Sequence, residues 1–329
     1  MEDAILIGVY TMSDVTFMEP NSSVSFTISD DVVGKRVDTF LANQLEAYSR
    51  SYLQTLIKAG CVTVNDKKVK SSYPLELSDK VVLTFPPAPD KKELKKVVDD
   101  LGTFIVEEQP NFLIVFKPAG LTMHASHAHD TTVTLVDWLL AQFANLESVG
   151  DHERPGIVHR LDKYTSGLVV IPRNTYAHTQ FSDLFQERKI EKTYLALVSG
   201  HPRKSGVIDL SIVPHSSHTR MTVVKRDGKG GKPAETAYEV LEYYDDAALV
   251  EVKPKTGRTH QIRVHFASLG HPLLGDVVYG KESSVIDRQA LHAQSLSFEY
   301  DGKQYNFTQD VPADFQKALD KLRKTKIEL

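Results

Sequence analysis

A proline-rich run, Pro86-Pro87-Ala88-Pro89, is followed directly by the charged residues Asp90-Lys91-Lys92 and divides the 329-residue chain into two unequal parts. Closely spaced prolines form stiff spacers, and they are excluded from the interior of helices and sheets. The run therefore predicts a domain boundary. We expect a loosely ordered extension at 1–30, a small domain at 31–86, a linker at 87–102 and a large domain at 103–329.

The small domain combines an α/β pattern with a basic charge balance. Apolar spacing predicts helices over 37–48 and 50–59, and alternation predicts short strands at 61–64, 67–69 and 80–85, with a turn at Asn65-Asp66. Between 34 and 70 the balance is 7 − 3 = +4, against −4 for the whole chain. The seven cations are Lys35, Arg36, Arg50, Lys58, Lys67, Lys68 and Lys70. On charge alone, this surface is either a solvated helix face or a nucleic-acid contact.

The large domain contains more strand candidates than helix candidates. Strands are predicted at 112–116, 168–171, 194–198, 237–241 and 249–252, and helices at 134–146, 175–187 and 259–269. Most neighbouring strands are close enough in sequence to pair in the antiparallel sense. The predicted fold class is therefore α+β, with a large mixed or antiparallel β-sheet flanked by helices beside a small N-terminal α/β domain.

The composition limits the cellular setting and the chemistry. The chain is 41% hydrophobic and 25% charged, which is ordinary for a globular protein. Its one cysteine, Cys61, excludes an internal disulfide and a multi-cysteine metal cage, and so favours a reducing cytoplasm. No apolar run approaches the roughly 18 residues of a membrane span, and the N-terminus lacks the positive flank of a secretory signal. We expect a cytoplasmic protein with no membrane partner.

A charged loop at 159–163, within Gly156–Val170, lies between two apolar runs and is the most informative segment. Loops anchored between strands commonly carry catalytic groups, which makes Asp162 a candidate. The order His-Arg-Leu-Asp differs from the His-Arg-Asp-Leu of protein kinases, and Gly167 stands where a kinase has asparagine. No glycine-rich nucleotide loop accompanies the segment, so a kinase is disfavoured.

Two further segments carry polar residues in a pattern that points to function. In Lys255–His265, Thr259 is predicted to cap a helix that carries Gln261 and Arg263. Three cations near this helix start suit the binding of phosphate or carboxylate, and the alternative is an ordinary polar helix face. In Lys192–Val198, Tyr194 begins a strand and is either a functional aromatic or a core residue.

Together these segments resemble the three motifs of the RluA-type pseudouridine synthases: His159–Gly167, Lys192–Tyr194 and Gly257–His265. Phe116–Pro118, Gly270–Pro272, Gly275-Asp276, Tyr279-Gly280 and Leu291–Ala293 also match the family. The block from Tyr48 to Asp66 resembles a small RNA-binding domain found in a small-subunit ribosomal protein and in tyrosyl-tRNA synthetase. The layout is most similar to the D subgroup, which acts on large-subunit ribosomal RNA.

The resemblance implies the isomerisation of uridine to pseudouridine with Asp162 as the catalytic carboxylate, by attack on the anomeric carbon or by proton abstraction from the ribose. It implies that Arg263 pairs with Asp162 and keeps it ionised, that Tyr194 stacks on the target base, and that Arg160 assists base flipping. It also assigns RNA contacts to the small domain. The expected contact residues are Arg36, Arg50, Lys58, Lys67 and Lys68.

The resemblance also sets expectations for partners. No metal or organic cofactor is expected, because a redox-neutral isomerisation needs only a carboxylate. The cluster His124, His127, His129 and Asp130 suggests a metal site, but it follows a family segment and is interpreted as a loop near the pocket. The expected partner is ribosomal RNA or the assembling large subunit, bound by a monomer. The alternatives are the same reaction on transfer RNA and a non-catalytic, RNA-binding assembly factor.

Overall fold

The computed structural model describes residues 22–45, 48, 50–85, 96, 98–125, 133–151, 154–215, 221–224 and 230–324. The chain divides into two compact units, with the main boundary between Asp90 and Lys91. The small unit contains the described residues from 22 to 85, and the large unit contains those from 96 to 124 and from 133 to 324.

The small unit is a four-stranded antiparallel sheet with two helices. Its strands are β1 (Ser23–Thr27), β2 (Val62–Val64), β3 (Lys67–Lys68) and β4 (Lys80–Thr84), in the order β1-β4-β2-β3. The helices are α1 (Val37–Gln44) and α2 (Arg50–Ala59). Asn65 and Asp66 have φ of 50° and 63°, so the predicted turn is a two-residue hairpin between β2 and β3. Leu41, Leu53 and Val62 are fully buried in its core.

The first strand lies inside the segment that was predicted to be a loose extension. β1 pairs with β4 along its whole length, from Ser23 opposite Thr84 to Thr27 opposite Lys80. Val24 and Phe26 pack against the small core. The prediction of a loose extension as far as residue 30 was therefore wrong at its end, because the serines between the apolar residues obscured a strand alternation.

The large unit is built on one mixed sheet. Its strands are β5 (Phe104–Glu108), β6 (Phe112–Lys117), β7 (Ser166–Pro172), β8 (Glu191–Ser199), β9 (Ser205–Asp209), β12 (Glu235–Tyr243), β13 (Ala247–Pro254), β14 (Leu291–Tyr300) and β15 (Lys303–Thr308). Their order is β5-β6-β7-β14-β8-β13-β12-β9, with β15 paired to β14. β7 and β14 pair in parallel, and the other pairs are antiparallel. The predicted α+β class with a large mixed sheet is confirmed.

Helices cover both faces of this sheet. They are α3 (Leu135–Gln142), α4 (Thr175–Gln186), α5 (Gln261–Ser268) and α6 (Ala313–Arg323). Successive residues of β6 point to opposite faces, as strand geometry requires. Leu113 packs with Trp138 of α3, whereas Phe112 packs with Phe181 of α4. None of the helices in the described ranges is long and apolar enough to cross a bilayer.

A separate two-stranded ribbon, β10 (Ser211–Pro214) with β11 (Met221–Val224), packs beside α5. Ile212 of β10 and Val264 of α5 belong to one small apolar cluster, against which Met221 and Tyr279 also pack. The ribbon is therefore in contact with the helix that carries Arg263.

The ends of two helices and of the linker differ from the prediction by four or more residues. α1 ends at Gln44 rather than near Tyr48, and α3 ends at Gln142, after which Ala144–Ser148 forms a 3-10 helix. The predicted linker also extends too far, because Val98 is fully buried in the core of the large unit. Asp99 accepts a hydrogen bond from the indole of Trp138 at 2.7 Å. Leu94, Val97, Val98 and Leu101 have helical spacing among charged residues, and this short signal was assigned to the linker.

Candidate active site

Asp162 lies on a loop that enters β7 and is held by its backbone. Its carbonyl accepts the N–H of Thr165 at 3.0 Å, which closes a tight turn. The carbonyl of Tyr164 accepts a hydrogen bond from the Arg288 guanidinium at 3.1 Å. Arg288 is itself fixed by Asp314, at 2.6 and 3.1 Å. The carboxyl of Asp162 therefore stands on a backbone that distant residues hold in place.

A buried lysine holds the middle of the same loop. The amine of Lys117 donates to the carbonyls of Pro118, Leu121 and Lys163 at 2.8, 2.8 and 3.1 Å. These three acceptors match the three N–H bonds of an ammonium group. Burial lowers the pKa of Lys117 to about 7, and the negative charge of Asp162 acts in the opposite direction. Lys117 therefore ties the end of β6 to the residue that follows Asp162.

The turn after Asp162 requires a glycine at 167. Gly167 has φ of 130°, and a Cβ there would lie 2.2 Å from the carbonyl oxygen of Ala293. The parallel pairing of β7 and β14 begins at this point, with Ser166 opposite His292 and Gly167 opposite Ala293. The Ser166 hydroxyl also lies 3.0 Å from Nδ1 of His292. The close approach sets the position at which the Asp162 loop joins the sheet.

His159 has a structural role. Its Nε2 accepts the N–H of Val170 at 2.9 Å, and its ring stacks on Phe185 at 4.6 Å between centroids. Burial lowers the pKa of His159 to about 3, with a smaller contribution from the charge of Lys192. The ring is therefore neutral at physiological pH and packs with α4.

Arg263 lies between two carboxylates. Its Nε and Nη2 donate to Asp276 at 2.6 and 3.0 Å, and its Nη1 donates to Asp162 at 3.0 Å. The exposed side-chain fraction is 6% for Arg263, 0% for Asp276 and 17% for Asp162. Burial by itself lowers the pKa of Arg263, but the hydrogen bonds and charges of both carboxylates outweigh it and raise the pKa. Asp276 thus orients the guanidinium, and Asp162 lies beside a fixed cation.

The start of α5 differs from the sequence prediction. The residue before the helix is His260, with φ of 54°, and no side chain caps the helix. Gln261 binds the preceding loop, because its amide oxygen accepts from Thr256 and from the N–H of Arg258. Arg263 faces the interior and not a polar surface. The prediction of a Thr259 cap was therefore wrong, since tertiary contacts of the side chains replace a local cap.

These elements line an open cavity. Asp162, Arg160, Tyr194, His260 and Arg263 all line it, so the four residues predicted for the pocket are brought together. Arg160 is exposed at the rim. Burial, and secondarily the charge of Asp162, raise the pKa of Tyr194 well above its usual value, so its ring stays neutral. The cavity presents a carboxylate, a cation and an aromatic ring to one small space.

The predicted RNA contacts of the small unit fall into two groups. Arg36 and Arg50 donate to Asp38, and their side chains remain 48% and 50% exposed. Lys58, Lys67 and Lys68 are exposed. Arg36 and Arg50 therefore form ion pairs with Asp38 inside the small unit, and each also keeps part of its side chain exposed to solvent.

Within the described ranges, no group of three or more His, Cys, Asp or Glu side chains is arranged to hold a metal ion. His124 is buried in the large unit. The other members of the cluster considered above, His127, His129 and Asp130, lie outside the described residues.

Lys117, Asp276 and Tyr279 were not predicted as site residues. Each stands in a short segment that matches the family, but nothing in its spacing indicates a role. Asp276 also receives the N–H groups of Val278 and Tyr279 at 3.0 and 3.3 Å, so it organises the turn that carries Tyr279. Only the fold brings these residues to the Asp162 loop.

Comparison with known proteins agrees with this geometry. The family model for RNA pseudouridylate synthase matches residues 111–268, and the model for the S4 domain matches residues 35–81. An uncharacterized RNA pseudouridine synthase of Aquifex aeolicus is 43% identical over 261 residues, covering 78% of this chain and 80% of that protein. The ribosomal large subunit pseudouridine synthase D of Zymomonas mobilis is 36% identical over 305 residues, covering 88% and 94%.

A solved structure shows the same architecture. The human RNA pseudouridylate synthase domain containing 4 superposes with a TM-score of 0.57 at 26% identity, covering 71% of this chain and 97% of that one. The two family matches place the chain among RNA-modifying isomerases that carry an S4 domain. The chain belongs to the RNA pseudouridine synthase family. Its activity is the conversion of uridine to pseudouridine in RNA.

Proposed function

We propose that this protein modifies specific uridines of large-subunit ribosomal RNA, with Asp162 as its catalytic carboxylate. The observation that carries the catalytic assignment is the 3.0 Å contact between Asp162 and the buried Arg263 at the cavity. This carboxylate is 17% exposed, lies beside a fixed cation and lines the cavity.

The reaction sets clear demands on such a site. The bond from C1′ of the ribose to N1 of uracil breaks, the base turns, and a new bond joins C1′ to C5. The C5 proton leaves, and N1 gains one, so the product is an isomer of the substrate. Asp162 serves either by attack on C1′ or by removal of the proton on C2′, since a positioned carboxylate suits both roles. In either case, Arg263 orients the carboxylate.

A base inside a helix cannot reach this cavity, so the nucleotide must leave its stack. Extrusion costs a few kcal/mol, which contacts to the flipped base must offset. Tyr194 offers a neutral ring for stacking, and stacking on an aromatic ring contributes about 1–3 kcal/mol per base. We propose that Arg160, which lies at the exposed rim, occupies the space that the flipped nucleotide leaves.

Three observations support ribosomal RNA as the substrate. Relatives named ribosomal large subunit pseudouridine synthase D, from Zymomonas mobilis and Neisseria meningitidis, are similar to most of this chain. The S4 match covers the basic segment with a balance of 7 − 3 = +4 between residues 34 and 70. An exposed cationic surface binds the phosphate backbone without regard to sequence. We further propose that a monomer acts in the cytoplasm on the assembling large subunit.

The test is carbodiimide-adduct primer extension across the ribosomal RNAs of the source cell. The wild-type strain is compared with strains that carry Asp162→Ala or the matched control Asp320→Ala. Asp320 is a surface aspartate of α6 that bonds to Gln316. We expect stops in large-subunit RNA to disappear only in the Asp162→Ala strain. If every ribosomal stop survives in that strain, the ribosomal assignment is wrong, and the same assay on transfer RNA identifies the other substrate.

A further inference from the structure

His260 lines the same cavity and is hydrogen-bonded to Tyr279, and neither residue has a role in the chemistry above. Nδ1 of His260 lies 2.9 Å from the hydroxyl of Tyr279, and that hydroxyl accepts the N–H of Met221 at 2.7 Å. Tyr279 also lies under Arg263, with 5.2 Å between the guanidinium carbon and the ring centroid. His260 has φ of 54°, a conformation that persists in a non-glycine residue only where surrounding contacts enforce it.

The hydrogen bonds of Tyr279 determine which nitrogen of His260 carries the proton. A tyrosine hydroxyl has one proton to donate, and its lone pairs accept. The hydroxyl accepts from Met221, and among the described residues its remaining partner is Nδ1 of His260. The hydroxyl proton is satisfied only if Nδ1 accepts it. The ring proton of a neutral His260 then lies on Nε2.

The surroundings favour a neutral imidazole. Burial lowers the pKa of His260, and the nearby charges oppose one another: Asp162 and Asp276 raise it, while Arg263 and Arg160 lower it. Burial also raises the pKa of Tyr279, which keeps its hydroxyl protonated. In the part of the chain that the structure describes, Nε2 of His260 makes no hydrogen bond. His260 therefore adds a neutral donor to the charged groups of the cavity.

We propose that Nε2–H of His260 donates a hydrogen bond to a carbonyl oxygen of the flipped uracil, and that Tyr279 is the positioning residue that sets this donor. A neutral donor suits a neutral acceptor, and uracil presents two carbonyl oxygens. A phosphate would instead be met by the exposed cations at the rim, such as Arg160. The inference rests on pseudouridine synthase activity and is independent of which RNA is modified.

The first test compares His260→Gln with His260→Met. The two side chains are similar in length and share the backbone strain at this position, but only glutamine donates a hydrogen bond. The probe is total RNA, labelled with tritium at C5 of uridine and taken from cells that lack this protein. Formation of pseudouridine releases that tritium. We expect kcat/KM for the methionine variant to be about 3- to 10-fold below that of the glutamine variant, the range of one neutral hydrogen bond.

Equal kcat/KM values in two variants that melt at the same temperature would overturn the role of His260. Because total RNA contains both ribosomal and transfer RNA, the assay works whichever is the substrate. Separation of the labelled RNA into ribosomal and transfer RNA before the assay tests the ribosomal proposal separately.

The second test determines directly which tautomer the His260 ring adopts. Nitrogen-15 spectra of histidine-labelled protein report which ring nitrogen is protonated, and His260→Gln identifies the signal. We expect Nε2-protonated His260 in the wild type, and loss of that single state in Tyr279→Phe, which keeps the ring beneath Arg263. The control is Tyr176→Phe, since the Tyr176 hydroxyl bonds to the surface residue Asp301. A wild-type ring protonated on Nδ1, or an unchanged spectrum in Tyr279→Phe, contradicts the proposal.

Discussion

At the scale of single residues, the site is organised around one guanidinium. Arg263 directs two of its donors to Asp276 and one to Asp162, so the two aspartates differ in environment although they share a cation. Asp276 is completely buried, whereas Asp162 retains access to the cavity. The planar fork of arginine makes this arrangement possible, and a lysine could not reproduce it.

Replacement of Asp162 by asparagine keeps the size of the side chain and removes its charge. We expect turnover to fall by more than about 10³-fold, because amide nitrogen is neither nucleophile nor base, while RNA affinity changes by less than about threefold. Tritium release and filter binding on the same RNA measure the two effects. Unimpaired release in a correctly folded Asp162→Asn protein would remove Asp162 from the mechanism.

Replacement of Asp276 by asparagine should affect both stability and turnover. Removing one charge from a buried pair leaves Arg263 incompletely compensated, at a cost of about 3 kcal/mol. The guanidinium then loses its fixed orientation toward Asp162, so kcat should decrease more than KM increases. Glu187→Gln, which removes one charge of the exposed pair with Lys189, is the matched control and should leave the free energy of unfolding and kcat nearly unchanged. Urea unfolding and steady-state kinetics test this, and a wild-type kcat would contradict it.

At the scale of elements, long-range hydrogen bonds anchor the Asp162 loop and join the two helices of the small unit. The loop after Asp162 is anchored by Lys117 from the end of β6 and by Arg288 from the segment before β14. In the small unit, the buried Asp38 of α1 accepts from Arg36 before the helix and from Arg50 and Gln54 of α2. In both places a buried polar group joins elements that apolar packing alone would align less specifically.

The Asp38 network predicts a pH-dependent stability of the small unit. Burial by itself raises the pKa of Asp38, but hydrogen bonds from Arg36, Gln54 and Arg50 outweigh burial and hold the pKa below its ordinary value of 3.8. The folded state therefore favours the carboxylate. The stabilisation is complete well above pH 3.8 and is lost as the pH falls below that value. Asp38→Asn should remove this dependence.

Calorimetry between pH 3 and 7 measures this effect in the full-length protein. Trp138 is the one tryptophan of the chain and lies in the large unit, so its fluorescence identifies the transition of that unit. The remaining transition reports the small unit. A small-unit transition with the same pH dependence in the wild type and in Asp38→Asn would refute the prediction.

At the scale of the whole molecule, charge is unevenly distributed. The chain carries −4 overall, yet residues 34–70 carry 7 − 3 = +4. The positive surface therefore lies in the S4 segment, whereas Asp162, the proposed catalytic carboxylate, and Arg263 lie in the large unit. This separation suggests that the small unit supplies affinity for RNA and the large unit supplies the chemistry.

Deletion of residues 1–88 tests that division. We expect weaker RNA binding and a smaller dependence of log K on log salt, by about 0.7–0.9 for each phosphate that the shortened protein no longer neutralises. The double variant Lys67→Gln/Lys68→Gln, which changes two exposed side chains of β3, should produce a partial decrease in the slope. An unchanged salt slope after the deletion would exclude the small unit as a phosphate-binding surface.

The sequence by itself predicted the features that depend only on residues close together in the chain. Short continuous apolar runs identified β6 and β7, Asn65-Asp66 identified a hairpin, and a charged run between apolar runs identified the Asp162 loop. The same local signals failed where serines separated the apolar residues of β1, and where His260 rather than Thr259 preceded α5. Periodicity and turn chemistry act over a few residues, so they identify elements but not their partners.

The tertiary structure alone decided which side chains meet. β14 lies between β7 and β8 although it follows both in sequence, and this order determines where the Asp162 loop joins the sheet and where Tyr194 lies. Asp162 and Arg263 are 101 positions apart, and resemblance to known motifs predicted their pairing, but no spacing rule did. The roles of Lys117, Asp276 and Tyr279 were unpredicted for the same reason: burial, strand order and hydrogen-bond satisfaction exist only once the chain has folded.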